Sequence, residues 1–137
     1  MSEREGWGST SVVIDSDILI DHLRGREVAI DFIDSLLLDG VEVCFSVISE
    51  AEIYSNVRPG EEPRILILFE NLTRLNLDGV TARKAGAYRL TYLPSDRLAL
   101  PDALIAATAF VHQAVLLTRN VRHYPMTDLE VVAPYHL

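Results

Sequence analysis

The chain reads as one α/β domain, a five-stranded parallel sheet with helices on both faces. Three observations predict it. The evenly apolar runs VVI, VLL and VV suit strands buried on both sides. Helical segments fall between most of those runs, and alternating strands and helices imply crossovers and a parallel sheet covered on both faces. The length, 137 residues with 49% hydrophobic, is that of a single domain able to bury a sizeable core.

The elements follow in order. Residues 1–10 read as a flexible extension, with Gly6 and Gly8 around Trp7, and residues 11–137 as the domain. A first strand is expected at 11–15, then a short helix at 16–23 that Ser16 or Asp17 can cap. A second helix covers 26–38, with Ile30, Ile33 and Leu37 at helical spacing, and DG at 39–40 stops it. The second strand is 41–46, followed by a helix at 49–57 whose S-x-x-E start, Ser49 and Glu52, has the form of a capping box. RILILFENL is a helix apolar on nearly every side, either core or a subunit contact. A third strand at 73–77 leads to a helix over 79–92, capped by Asp78 and ended by Pro94. PDALIAATAFVHQ, 101–113, is a helix with Pro101 in its first turn. The fourth strand is 114–118 and the fifth 129–133.

Composition excludes several classes. No apolar run reaches the roughly 18 residues of a membrane span, and the N-terminus has no signal-peptide pattern. The single cysteine, Cys44, lies in an apolar run and reads as a buried thiol, so no disulfide framework forms within the chain. A cytoplasmic protein is expected. The net charge of −8 argues against holding nucleic acid by bulk electrostatics. The basic residues are eleven arginines and one lysine, Lys84; arginine suits bidentate contact with phosphate or carboxylate.

Three carboxylates stand out by position. Asp15 ends the first strand, Glu52 is expected in the first turn of the helix after the second, and Asp102 in the first turn of the helix before the fourth. In an open parallel sheet, ligands sit beyond the carboxyl ends of the strands, where the order switches. Asp15 and Glu52 belong at that edge; Asp102 joins them only if the loop LPSDRLAL brings its helix there. Each acid also has a structural role available, as a cap or in favourable interaction with a helix dipole. Several ionised carboxylates in one place repel one another, and a hard divalent cation relieves that repulsion. After the fourth strand, TRNVRHYP offers Thr118 and Asn120 as oxygen groups and Arg119, Arg122 and His123 as donors to phosphate.

VVIDSDILI, SVISEAEIYSNV, PDALIAATA and LLTRNVRHYP, in this order, resemble the PIN domain, and within it the VapC-type toxins of toxin–antitoxin pairs. The resemblance spans about residues 11–133. It implies a five-stranded parallel sheet and an endoribonuclease dependent on Mg²⁺ or Mn²⁺. It implies Asp15, Glu52 and Asp102 as the catalytic acids, with Asn120 an oxygen ligand and Asp17 and Thr118 in support of the ligands. The family often carries aspartate at the positions of Asn120 and His123, so this chain has one negative charge fewer in the site. The reaction implied is hydrolysis of an RNA phosphodiester by metal-activated water. A cognate antitoxin covering the acidic pocket and a homodimer are implied as well.

Two rivals remain. One is a catalytically degenerate PIN domain that binds RNA or a protein without cutting, for which Asn120 and the acidic charge speak. The other is a haloacid-dehalogenase-like phosphatase, suggested by the D-x-D of IDSDIL. That chemistry wants an essential lysine and a late acid pair; Lys84 is mid-helix and no such pair is present.

Overall fold

Val12, Val13 and Ile14 are β-branched, wholly buried and strand-forming, and they make the centre of the sheet. In the computed structural model, which describes residues 10–137, β1 (Ser11–Ile14) lies between β2 (Glu42–Ser46) and β4 (Val115–Leu117). β3 (Thr73–Leu75) flanks β2, and β5 (Val131–Val132) flanks β4. All four pairings are parallel, in the order β3-β2-β1-β4-β5. The expected five-stranded parallel sheet is present. Its strands are shorter than the apolar runs, because the ends of those runs leave the ladder to enter loops.

Alternate residues of β1 feed two cores. Val12 and Ile14 pack under α1 (Ser16–Leu23), α2 (Glu27–Leu38), α3 (Val47–Tyr54) and α4 (Glu62–Glu70) through Leu19, Ile33, Ile53 and Ile65. Phe45 and Phe69 lie ring to ring in this layer, 4.4 Å between centroids. Val13, Cys44 and Leu116 pack on the opposite face against α5 (Gly79–Asp96) and α6 (Leu100–Val111). Four alanines of α6, Ala103, Ala106, Ala107 and Ala109, are fully buried, so the helix can lie close on the sheet. Cys44 is buried as expected, and burial pushes its thiol up to about 12.

Three local expectations are corrected. α3 starts at Val47 rather than 49, because Ser46, the last residue of β2, caps it by accepting the Ile48 N–H at 3.1 Å. Ser49 and Glu52 are therefore not a capping box; Glu52 lies beyond the first turn. α1 is capped by Asp15, whose Oδ1 accepts the Ser16 N–H, rather than by Ser16 or Asp17. α5 runs through Pro94 to Asp96: so near the end, proline forfeits a bond in the last turn only, and Arg97 closes the helix in a left-handed conformation. The Asp78 cap forms as expected, with Oδ1 accepting the Thr81 N–H at 2.9 Å.

Of the apolar helix RILILFENL, one side is core (Ile65, Leu68, Phe69), while Leu66 and Ile67 are 54% and 59% exposed. The expected extension over residues 1–10, with Trp7, lies outside the described residues except for Thr10. Among the described residues no helix is long and apolar enough to cross a membrane.

Candidate active site

Chain direction reverses across β1: the path runs outward through β2 and β3, then returns to β4 on the other side. The carboxyl ends of β1 and β4 therefore border the crevice where open α/β sheets bind ligands. Asp15 follows β1 directly, its N–H still donating to the Leu117 carbonyl at 2.9 Å. Thr118 follows β4, its N–H donating to Val132 O at 3.0 Å. α3 and α6 begin at this same edge, since each leads into or out of a parallel strand. That brings Glu52 and Asp102 to it, and the condition on the LPSDRLAL loop is met.

Asp15 is 7% exposed. Its Oδ1 accepts from Ser16 N at 2.7 Å, and its Oδ2 accepts from Thr118 Oγ1 at 2.8 Å and from the Tyr124 hydroxyl at 2.9 Å. Burial raises its pKa, the three hydrogen bonds oppose that, and Asp102 raises it further. Asp17 accepts from Ile18 N through Oδ1, and from Arg119 N (2.9 Å) and Asn120 Nδ2 (3.1 Å) through Oδ2. Burial, then the Asp15 charge, raises its pKa too. Asp102 is also raised, by burial first; His123 opposes this, and Glu52 and Asp17 add to it. Glu52 accepts from Ser16 Oγ at 2.7 Å, and Ser16 Oγ also meets Ser49 Oγ at 2.8 Å. Four carboxylates from three separate segments thus act on one another across one pocket. Glu50, two residues before Glu52, faces away and forms a two-bond pair with Arg74 at 2.8 Å.

The loop after β4 holds the remaining expected residues. Asn120 turns its amide nitrogen, not its oxygen, to Asp17, so in this arrangement it is a donor. Arg119 is committed to Asp21, with Nε at 2.6 Å and Nη2 at 3.2 Å. The Tyr135 hydroxyl donates to the same carboxylate at 2.8 Å. Arg122 and His123 are exposed in a 3-10 turn, Val121–His123, with His123 beside Asp102. Lys84 lies elsewhere, on Asp128 at 2.7 Å and over the Phe110 ring, where it serves no nucleophilic aspartate at residue 15.

Sequence reasoning missed Tyr124, Ser16 and Asp21. Tyr124 is 4% exposed; burial, with Asp15 and Asp102 next to it, drives its phenol far upward, so it stays a proton donor. Its position in TRNVRHYP was the available signal, but only the fold shows that its hydroxyl reaches back to β1.

The donor set fits a hard divalent cation: every candidate ligand is a carboxylate or amide oxygen. Three of a carboxylate's roughly four acceptor positions are taken on Asp15, leaving Oδ1 able to accept once more. Among the described residues no three His, Cys, Asp or Glu side chains stand close enough to close on an ion by themselves. Magnesium does not require that, because it keeps several waters and takes one or two carboxylates directly. Asp17, with both oxygens engaged by the β4 loop and α1, is better placed to order that loop than to bind an ion.

A doubly wound parallel sheet with a carboxylate pocket at its switch point is the architecture of the PIN domain, and residues 12–128 match that family. This chain belongs to the PIN domain family. More narrowly it is a PIN domain of the VapC type. It is 40% identical over 118 residues to Ribonuclease VapC10 of Mycobacterium tuberculosis, 85% of this chain and 88% of that one. Ribonuclease VapC19 of the same organism is 36% identical, covering 83% and 92%. Among solved structures, a toxin–antitoxin complex from Klebsiella pneumoniae matches with a TM-score of 0.77 at 28% identity, covering 93% of this chain and all of that one. FitAcB from Neisseria gonorrhoeae matches with a TM-score of 0.72 at 25% identity, covering 92% and 99%.

Proposed function

We propose that this chain is a VapC-like toxin, a divalent-metal-dependent endoribonuclease acting on RNA in the cytoplasm. The observation that carries the reading is the convergence of Asp15, Asp17, Glu52 and Asp102 on one partly buried edge of the sheet, each of the three aspartates held above its ordinary pKa chiefly by burial and further by its neighbours. Similarity to Ribonuclease VapC10 over nearly the whole domain supports it.

Asp15 and Asp102 would hold Mg²⁺ or Mn²⁺, with Glu52 a further ligand or the acceptor that orients water. Such an ion supplies positive charge opposite the reacting phosphate and makes water a competent nucleophile at neutral pH. The protein does the rest by placement. Ser16 fixes the Glu52 carboxylate. Thr118 fixes Asp15, and Asp17 holds the loop carrying Asn120. Asn120 reaches an ion only by presenting its oxygen while its nitrogen stays on Asp17. Arg122 and His123, both exposed, would meet the phosphates flanking the cut; Arg119 would join them only by leaving Asp21. In-line hydrolysis leaves a 5′-phosphate and a 3′-hydroxyl.

An antitoxin partner is inferred from the likeness to a chain of the Klebsiella pneumoniae toxin–antitoxin complex. A basic side chain of that partner, set among the carboxylates, would neutralise them as the ion does. Homodimer formation through the exposed Leu66 and Ile67 strip of α4 is part of the same proposal. The second reading, a PIN domain that binds without cutting, draws on Asn120, which gives the pocket a donor in place of an acid.

Incubating a mixed RNA pool with Mg²⁺, Mn²⁺ or EDTA, wild type beside Asp15→Asn, separates the two. Metal-dependent fragments with 5′-phosphates, absent from the variant, are expected. Binding without cleavage under either metal would leave the non-cutting reading in their place.

A further inference from the structure

We infer that Tyr124 is a positioning residue for the metal site: its hydroxyl holds Asp15 and fixes how that carboxylate faces an ion. The inference rests on the proposed metal-dependent reading. Tyr124 comes from the loop after β4, Asp15 from the end of β1 and Asp102 from the first turn of α6. The hydroxyl donates its one proton to Asp15 Oδ2 at 2.9 Å, with the charge of Asp102 acting on it from beside. The ring is 4% exposed and packed in the core with Leu98, Ala103 and Met126, so the hydroxyl has little freedom to move.

Consider what those two carboxylates would do without it. Asp15 and Asp102 repel each other, and without the phenol Asp15 Oδ2 keeps only its Thr118 bond at 2.8 Å. A neutral donor on Asp15 offsets part of that repulsion without adding a charge that competes with a cation. It also engages Oδ2 of Asp15, which leaves Oδ1 as the oxygen free to accept from an ion. Magnesium demands near-ideal geometry, and partners that orient ligands commonly govern affinity about 10–100-fold. A tyrosine that merely fills the core would contribute its ring and not its hydroxyl, so the two roles separate cleanly.

The test is Mn²⁺ titration, by electron paramagnetic resonance of the free ion, of wild type and Tyr124→Phe, with melting temperatures in EDTA alongside. Expected is Mn²⁺ binding by wild type and binding weaker by about tenfold or more in the variant, with the EDTA melting temperature little changed. In an Asp102→Asn background the same change should matter less, because the charge repelling Asp15 is gone. If the phenylalanine leaves a gap that unfolds the protein, Tyr124→4-fluorophenylalanine keeps the bulk without the proton. Equal affinity in wild type and variant overturns the assignment alone. Failure of wild type to bind Mn²⁺ overturns the metal-dependent reading, and the assignment with it.

Discussion

At the residue scale the site is held against its own electrostatics. Asp102 is raised by burial above all, and next by Glu52 and Asp17 against the opposing pull of His123. A carboxyl raised in the folded state contributes stability that is complete below its unfolded pKa and is lost as pH rises through the folded one. At neutral pH without metal, ionised Asp102 is therefore a destabilising charge. Asp102→Asn should melt higher than wild type in EDTA at pH 7, with the difference shrinking toward pH 4, while RNA cleavage disappears. A variant that melts lower in EDTA would mean the carboxylate is satisfied by hydrogen bonds alone. Asn120 gives the complementary case. Asn120→Asp puts a second carboxylate 3.1 Å from Asp17 Oδ2 in place of a donor. That variant should melt lower than wild type in EDTA and recover most of the loss on adding Mg²⁺, as ligand linkage requires. Thermal scans with and without the ion check both.

Helix starts, more than helix existence, decide where the site residues point. The alternation of strand and helix, the Asp78 cap and the Pro101 start were all legible, because they depend on residues near one another in sequence. The start of α3 was not. Ser46 and Ser49 are both good caps, and only the length of β2 decides that Ser46 takes the role. That shift buries Ser49 and turns Glu52 toward Ser16 of α1. Ser46→Ala should cost about 1 kcal/mol, or roughly 4 °C in melting temperature for a domain of this size, by leaving the Ile48 N–H without its acceptor. Because Glu52 rides on this helix, cleavage should fall as well. Denaturant unfolding with an unchanged midpoint would show that another group supplies the cap.

Over the whole molecule, what the sequence could not show is which side chains meet. The edge positions of Asp15 and Glu52 followed from strand-then-helix logic, while that of Asp102 hung on the path of the LPSDRLAL loop. Tyr124, and the Asp21–Arg119–Tyr135 cluster that ties α1, the β4 loop and the C-terminal tail together, depend on contacts between residues about a hundred positions apart. Arg119 is the instructive case, since it reads as a phosphate contact and is placed as the partner of Asp21. Its engagement leaves few cations at the pocket mouth of a chain whose net charge is −8. Long-range attraction to RNA is then weak, and binding must come from short-range contacts and the ion. For single strands the logarithm of affinity falls with the logarithm of salt by about 0.7 per phosphate neutralised. With Arg122 and His123 as the contacts, the slope should be near −1. Fluorescence anisotropy of a short single-stranded RNA on Asp15→Asn, from low to high NaCl at fixed Mg²⁺, measures it. A slope of about −3 or steeper would require several more cationic contacts than this pocket presents, and would place the RNA on a surface other than the mouth of the acidic crevice.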